Sequence, residues 1–158
     1  MYLKPVEIRW NDLDANRHLG NTAFISFMSH TRMAFFHDLG FTLEYLNTND
    51  IGPVVFYEHV YYLNEVLPGN PVQVSLEING LSADGTFFEF YHNMYNHKGV
   101  QVAHAQLMGG WMNLTTRKLT CPTPEMNQKF NAIEKGETFR VLTQKDTRPV
   151  RIPRKDLP

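Results

Sequence analysis

The sequence has little of what would take it outside the ordinary folded domains. It has one cysteine, Cys121, in 158 residues. That excludes an internal disulfide or a cysteine-rich zinc site, and suits a reducing compartment. No apolar run approaches the roughly 20 residues that span a bilayer. The opening Met1-Tyr2-Leu3-Lys4-Pro5 lacks the basic-then-apolar pattern of a secretion signal. There is no internal repeat, no low-complexity tract and no surplus of one charge, with Lys+Arg 15 against Asp+Glu 16. A nucleic-acid-coating protein would carry a basic excess. These absences predict a cytoplasmic chain with neither a membrane nor a nucleic-acid partner.

The charge balance hides an asymmetry. Residues 1–134 hold 13 acidic and 8 basic side chains, whereas 135–158 hold 3 acidic and 7 basic. We expect a single domain over 1–134, long enough to bury one core. A basic arm over 135–158 follows, extended or disordered, with Arg148, Arg151, Arg154 and Lys155 among its cations.

Residues 3–10 read as a short strand and 11–20 as a loop rich in Asn, Asp and Gly. Phe24, Phe27, Met28, Thr31, Phe35 and Leu39 then recur at helical spacing. Asn21 or Thr22 is placed to cap this helix and Gly40 to end it. Ile25, Met33 and Phe36 fall outside the stripe, so the helix should be buried on several sides. After a short helix near 42–48, four long strands follow, over about 53–66, 72–79, 87–97 and 100–114. Val72, Val74, Leu76 and Ile78 alternate with Gln73, Ser75, Glu77 and Asn79, the pattern of a strand with one wet face. Hairpin-like connections predict an antiparallel meander wrapped around the apolar helix, an α+β fold. Thr123 and Pro124 open a last short helix.

Residues with catalytic potential gather in the loop that enters the long helix: Asp12, Asp14, Asn16, Arg17, His18 and Asn21. A helix start presents unpaired N–H groups and the positive end of the dipole, which polarise a carbonyl and hold an oxyanion. A carboxylate just upstream supplies a general base or nucleophile. Together they are the minimum for acyl transfer to water, although Asp, Asn and Gly also serve simply as turn and cap formers. Glu58 and His59, on the second strand, are candidate substrate contacts or an exposed strand pair. Arg117 and Lys118, just past the last long strand, suit phosphate groups or a solvated turn equally well.

The run Asp12-Leu13-Asp14-Ala15-Asn16-Arg17-His18-Leu19-Gly20-Asn21 resembles the signature of hotdog-fold acyl-CoA thioesterases of the 4-hydroxybenzoyl-CoA thioesterase type. It is also similar to the Asp, Asn and His run of plant acyl carrier protein thioesterases. Phe24, Arg32, Leu39-Gly40-Phe41 and Leu67-Pro68-Gly69-Asn70-Pro71-Val72 extend the likeness over roughly residues 5–120. Gly20 stands where many members have Asn. Ser29, His30 and Thr31 stand where many carry an acidic residue.

The resemblance implies a hotdog fold hydrolysing an acyl-CoA or acyl carrier protein thioester, with no metal or redox cofactor. Asp14 would attack the thioester carbon or activate water, and the Asn21 backbone N–H would polarise the carbonyl. Asn16 and His18 would position Asp14 or the water. The site would form in a homodimer, or a homotetramer built from it, with Glu58 and His59 on the partner's half of the pocket and Arg117 and Lys118 on coenzyme A phosphates. The rival readings are a non-catalytic acyl-thioester-binding protein, a hotdog dehydratase or hydratase, and a docking protein that uses the basic arm.

Overall fold

The computed structural model describes residues 1–150 and 152–157; Arg151 of the basic arm lies outside the described residues. The chain runs β1 (Tyr2–Val6), α1 (Asn21–Asp38), α2 (Leu43–Thr48), β2 (Ile51–Tyr62), β3 (Val72–Ser82), β4 (Phe87–Tyr95), β5 (Gln101–Asn113), α3 (Pro124–Ala132) and β6 (Lys135–Leu142). The sheet order is β1-β3-β4-β5-β2, with β6 also paired to β3. All pairings are antiparallel except β3–β6, which is parallel.

Two expectations about the strands are corrected. The first strand ends at Val6, and Trp10–Asp12 forms a 3₁₀ turn. The meander is confined to β3, β4 and β5. β2 pairs with β5 at the far edge, Ile51 opposite Asn113 and Tyr62 opposite Ala103. Residues 63–71 therefore carry the chain from the β2 edge past β5 and β4 to β3, and Pro68-Gly69 turns within that crossover.

α1 lies across one face of the sheet. Phe24, Phe27, Met28, Phe35 and Phe36 are buried there, but Ile25 and Met33 are each 37% exposed. The helix is thus covered by the sheet and open on the side of β2, less enclosed than its composition predicts. Leu39 ends it and Gly40 follows at φ +87°, the left-handed position that glycine fills without a Cβ penalty. At its start the cap is Gly20 rather than Asn21 or Thr22, and among the described residues no side chain caps the first turn.

The core splits in two along α1. One cluster joins Phe35, Phe36, Leu76, Phe90, Trp111 and Phe130; the other joins Phe24, Met28, Val72, Val74, Met94 and Ala105. Gly109 allows the close packing of the first, since a Cβ there would lie 2.5 Å from the Phe88 ring and 2.7 Å from the Val54 carbonyl.

The expected wet face of β3 is only half wet: Gln73 is exposed and Glu77 half-buried, whereas Ser75 and Asn79 are buried. Ser75 Oγ accepts the Asn93 N–H at 3.0 Å, and Asn79 is covered by the segment after α3, whose Thr138 Oγ1 donates to its Oδ1 at 2.7 Å. β6 lies beside Gly80–Ser82, and from it Arg140 reaches Glu89 on the outer face of β4 with Nη2 at 2.7 Å. Asn79 Nδ2 (3.0 Å) and Gln106 Nε2 (2.7 Å) also donate to Glu89. Burial alone would raise the Glu89 pKa; these donors and the Arg140 charge outweigh it and hold it below the ordinary range. Arg140 also pairs with Asp146. Residues 135–147 are therefore structured against the sheet.

Candidate active site

The loop before α1 is held by its own backbone. Asp12 Oδ2 accepts the Arg9 N–H at 2.7 Å, and the Asp12 carbonyl accepts the Gly20 N–H at 2.8 Å. Asp14 sits at the start of a tight turn closed by Arg17 N–H to Asp14 O, 3.0 Å, with Arg17 at φ 64°. Asp14 Oδ1 accepts two backbone N–H groups, from Asn16 at 2.8 Å and His18 at 3.2 Å. A carboxylate oxygen used this way fixes the turn, as Asp commonly does, and leaves Oδ2 for other work. Leu19 N–H to Val66 O, 2.8 Å, then ties the turn to the crossover segment.

The turn delivers the chain to α1 with Gly20 extended at ψ 148°. With no capping side chain, the Asn21 and Thr22 N–H groups have no acceptor among the described residues, as the first turn of a helix requires. An open cavity of about 350 Å³ lies against this end, lined by Asp14, His18, Asn21, Phe24, Tyr62 and Glu65, among others. His18 Nε2 is 3.2 Å from Glu65 Oε2.

Three of the four expected catalytic positions, Asp14, His18 and Asn21, therefore meet in one cavity. Asn16 is not among its lining residues; its link to the site is the N–H it gives to Asp14. Glu58 and His59 take opposite faces of β2, as neighbours in a strand must. Glu58 turns toward α1, whereas His59 lines an outer-face cavity with Phe56, Tyr57 and residues 147–150. Arg117 and Lys118 follow β5 beyond Asn113, where Lys118 O accepts the Asn113 N–H. Ala103, the β5 residue opposite Tyr62, is ten residues back. At about 3.3 Å per residue that places the pair roughly 33 Å from the Asp14 cavity within one chain.

One polar cluster escaped the sequence reading. Between the two halves of the core, Arg32 Nη1 lies 3.1 Å from Glu58 Oε1 and 3.3 Å from His92 Nε2. His92 Nδ1 is 2.7 Å from the Ser75 carbonyl. A carbonyl only accepts, so Nδ1 carries the proton and Nε2 accepts from the guanidinium. Burial, and then the Arg32 charge, push the His92 pKa down to about 3. The signal was present in the pattern, because His92 shares the inward parity of Phe88, Phe90 and Met94 on β4.

The sequence profile of the thioesterase-like superfamily matches residues 8–153. The chain belongs to this superfamily. Its match extends past β6 and so takes in most of the basic segment. Among solved structures, a Staphylococcus aureus protein determined in complex with CoA aligns at TM-score 0.77 and 16% identity, over 97% of this chain and 94% of its own. The DHNA-CoA thioesterase from Staphylococcus aureus aligns at TM-score 0.75 and 15% identity, over 82% and 87%. A thioesterase-type protein from Pseudomonas aeruginosa aligns at 0.72 and 22%, over 81% and 96%. These likenesses establish the hotdog fold. No match is found among the curated proteins. Among the described residues, no helix is long and apolar enough to cross a membrane.

Proposed function

We propose that this thioesterase-superfamily chain hydrolyses acyl thioesters of coenzyme A or of an acyl carrier protein. The observation that carries the proposal is the meeting of Asp14, His18 and the uncapped start of α1 at one open cavity. The thioester carbonyl oxygen takes the free Asn21 N–H, which strengthens its hold as the oxygen gains charge. Asp14 Oδ2 attacks the carbonyl carbon, or removes a proton from the water that does. His18 and the Asn16 N–H hold the turn that aims it. In the first route the thiolate leaves a mixed anhydride on Asp14, which a water then hydrolyses, restoring Asp14 and supplying the thiol's proton. In the second the tetrahedral intermediate expels the thiolate, which takes the proton Asp14 accepted from water. Both routes release the acyl group as a carboxylate.

The active form in this proposal is a homodimer, or a homotetramer made of such dimers, joined along the free edge of β2. That edge exposes Val55, Tyr61, Tyr62 and Leu63, apolar surface of the kind that marks an interface. Antiparallel pairing of two β2 edges directs the Ile51 end of one strand toward the Tyr62 end of the other. The partner's Arg117 and the partner's Lys118 then approach the Asp14 cavity and are available to coenzyme A phosphates, which one chain alone does not allow. His59 stays on the outer face.

The test is free-thiol release from a panel of acyl-CoA and acyl carrier protein thioesters. Asp14→Asn keeps an oxygen to accept the two backbone N–H groups and removes only the charge. Turnover should fall by about 10²–10⁴-fold. A wild type at background on every thioester, indistinguishable from Asp14→Asn, would refute hydrolysis and leave a non-catalytic binder.

A further inference from the structure

α1 runs on from the Asp14 cavity with one flank beside β2. Asn21, Ile25, Ser29 and Met33 step down α1 at four-residue intervals, so they lie on one side of the helix, with Arg32 and Phe36 beside them. A second cavity of about 180 Å³ opens on this line. Its walls are Ser29, Arg32 and Phe36 from α1 and Val55 from β2, and its floor is Phe88 and Leu107. Ser29 is eight residues below Asn21, about 12 Å along the axis at 1.5 Å per residue.

The chamber is apolar except at Ser29 and Arg32, and Arg32 carries its only charge among the described residues. Arg32 spends Nη1 on both Glu58 and His92, and among the described residues Nε and Nη2 have no hydrogen-bond partner. Its side chain is 10% exposed, and it lines the cavity. A guanidinium has five donors. Among the described residues no buried side-chain donor lacks a partner, so Nε and Nη2 are reached by solvent, and a ligand that displaces that water must bring an acceptor to them. The Glu58 carboxylate already offsets the charge, so a neutral acceptor is served as well as an anionic one.

Resting on the hydrolase reading, we propose that this second cavity receives the far end of the acyl group. Arg32 there selects acyl thioesters whose tail carries an oxygen acceptor, a hydroxyl or a carboxyl, over plain hydrocarbon tails of the same length. The apolar walls take the methylene chain, and the Nε and Nη2 donors take the terminal oxygen. Val55 and Phe36 limit length, and Arg32 decides polarity.

The experiment compares octanoyl-CoA, its terminal-hydroxyl counterpart and the mono-CoA thioester of suberic acid, by thiol release. In parallel, calorimetry measures binding of the matching non-hydrolysable thioethers. Wild type should prefer the oxygen-bearing tails by about tenfold to a hundredfold in both kcat/KM and Kd, the range of a hydrogen bond to a charged group. Arg32→Met should abolish that preference. If Arg32→Met does not fold, Phe36→Leu lengthens the chamber and should move the wild-type optimum to a longer tail of the same oxygen-bearing type. Equal or better use of octanoyl-CoA by wild type overturns the proposal while leaving hydrolysis intact. Selective binding of the oxygen-bearing thioethers without turnover sinks hydrolysis and keeps the tail selection. Neither binding nor turnover sinks both.

Discussion

Asn21→Pro removes a single backbone N–H from the site and almost nothing else. Asn21 is the first residue of α1, directly after the Gly20 cap. Proline is favoured at that position because its φ is already helical and the missing N–H had no helical partner. The residue before a proline must be extended, and Gly20 is, at φ −68° and ψ 148°. The substitution also narrows the unfolded ensemble, so stability should hold or rise by up to about 1 kcal/mol. Asn21→Ala serves as the reference, since it loses the side chain and keeps the N–H. If the N–H polarises the thioester carbonyl, its removal should cost about 10²–10³ in kcat relative to Asn21→Ala, the measured scale for one oxyanion donor. Thiol release under saturating substrate reads kcat, and urea unfolding confirms the fold. A proline variant within threefold of the alanine variant would show that the start of α1 takes no part in the chemistry.

Three other substitutions probe the frame of the site. Gly109→Ala would drive a Cβ into the Phe88 ring and the Val54 carbonyl, and should destabilise by about 1–3 kcal/mol in urea unfolding; an unchanged midpoint contradicts the packing described. His92, whose pKa is lowered from 6.5 to about 3, binds its proton in the unfolded chain before it does in the native one. Its contribution to stability is therefore full above pH 6.5 and is lost as pH falls toward 3. His92→Gln should flatten the urea midpoint across that window, and the same slope in both proteins would rule His92 out. Tyr61→Lys places a cation on the free β2 edge, the device by which edge strands resist pairing. It should shift the protein to monomer in light scattering, and a dimer that survives it must use another surface.

Much of the fold was legible in local pattern. The spacing of Phe24, Phe27, Met28, Thr31 and Phe35 marked the inward side of α1, and Thr123-Pro124 marked the start of α3 correctly. The order of strands was not, because β2 and β3 are adjacent in sequence yet lie on different parts of the sheet. That choice is made by distant contacts, β2 with β5 and β3 with β4, which no local signal encodes. The burial of Asn79 on β3 escaped for a similar reason. Alternation puts Asn79 on the polar face but does not show that β6 returns to cover it there. At the site, the Asp14 turn and the start of α1 are contiguous in sequence, so their meeting could be anticipated. Arg32, Glu58 and His92 come from three elements and meet only in the folded chain.

β1 and β6, the first and last strands among the described residues, meet on the same strand. β1 borders β3 from Val72 to Leu76, and β6 borders it from Ile78 to Ser82. The outer margin they leave is short and broken: β1 contains Pro5, which offers no N–H, and β6 slips register against β3. β2, at the opposite margin, is twelve residues long. The sheet therefore has one adhesive side and one blunt side. Two copies that join at β2 about a two-fold axis consume each other's adhesive side, and growth stops. A head-to-tail filament would need the blunt margin, already bordered by β1 and β6, to accept a strand.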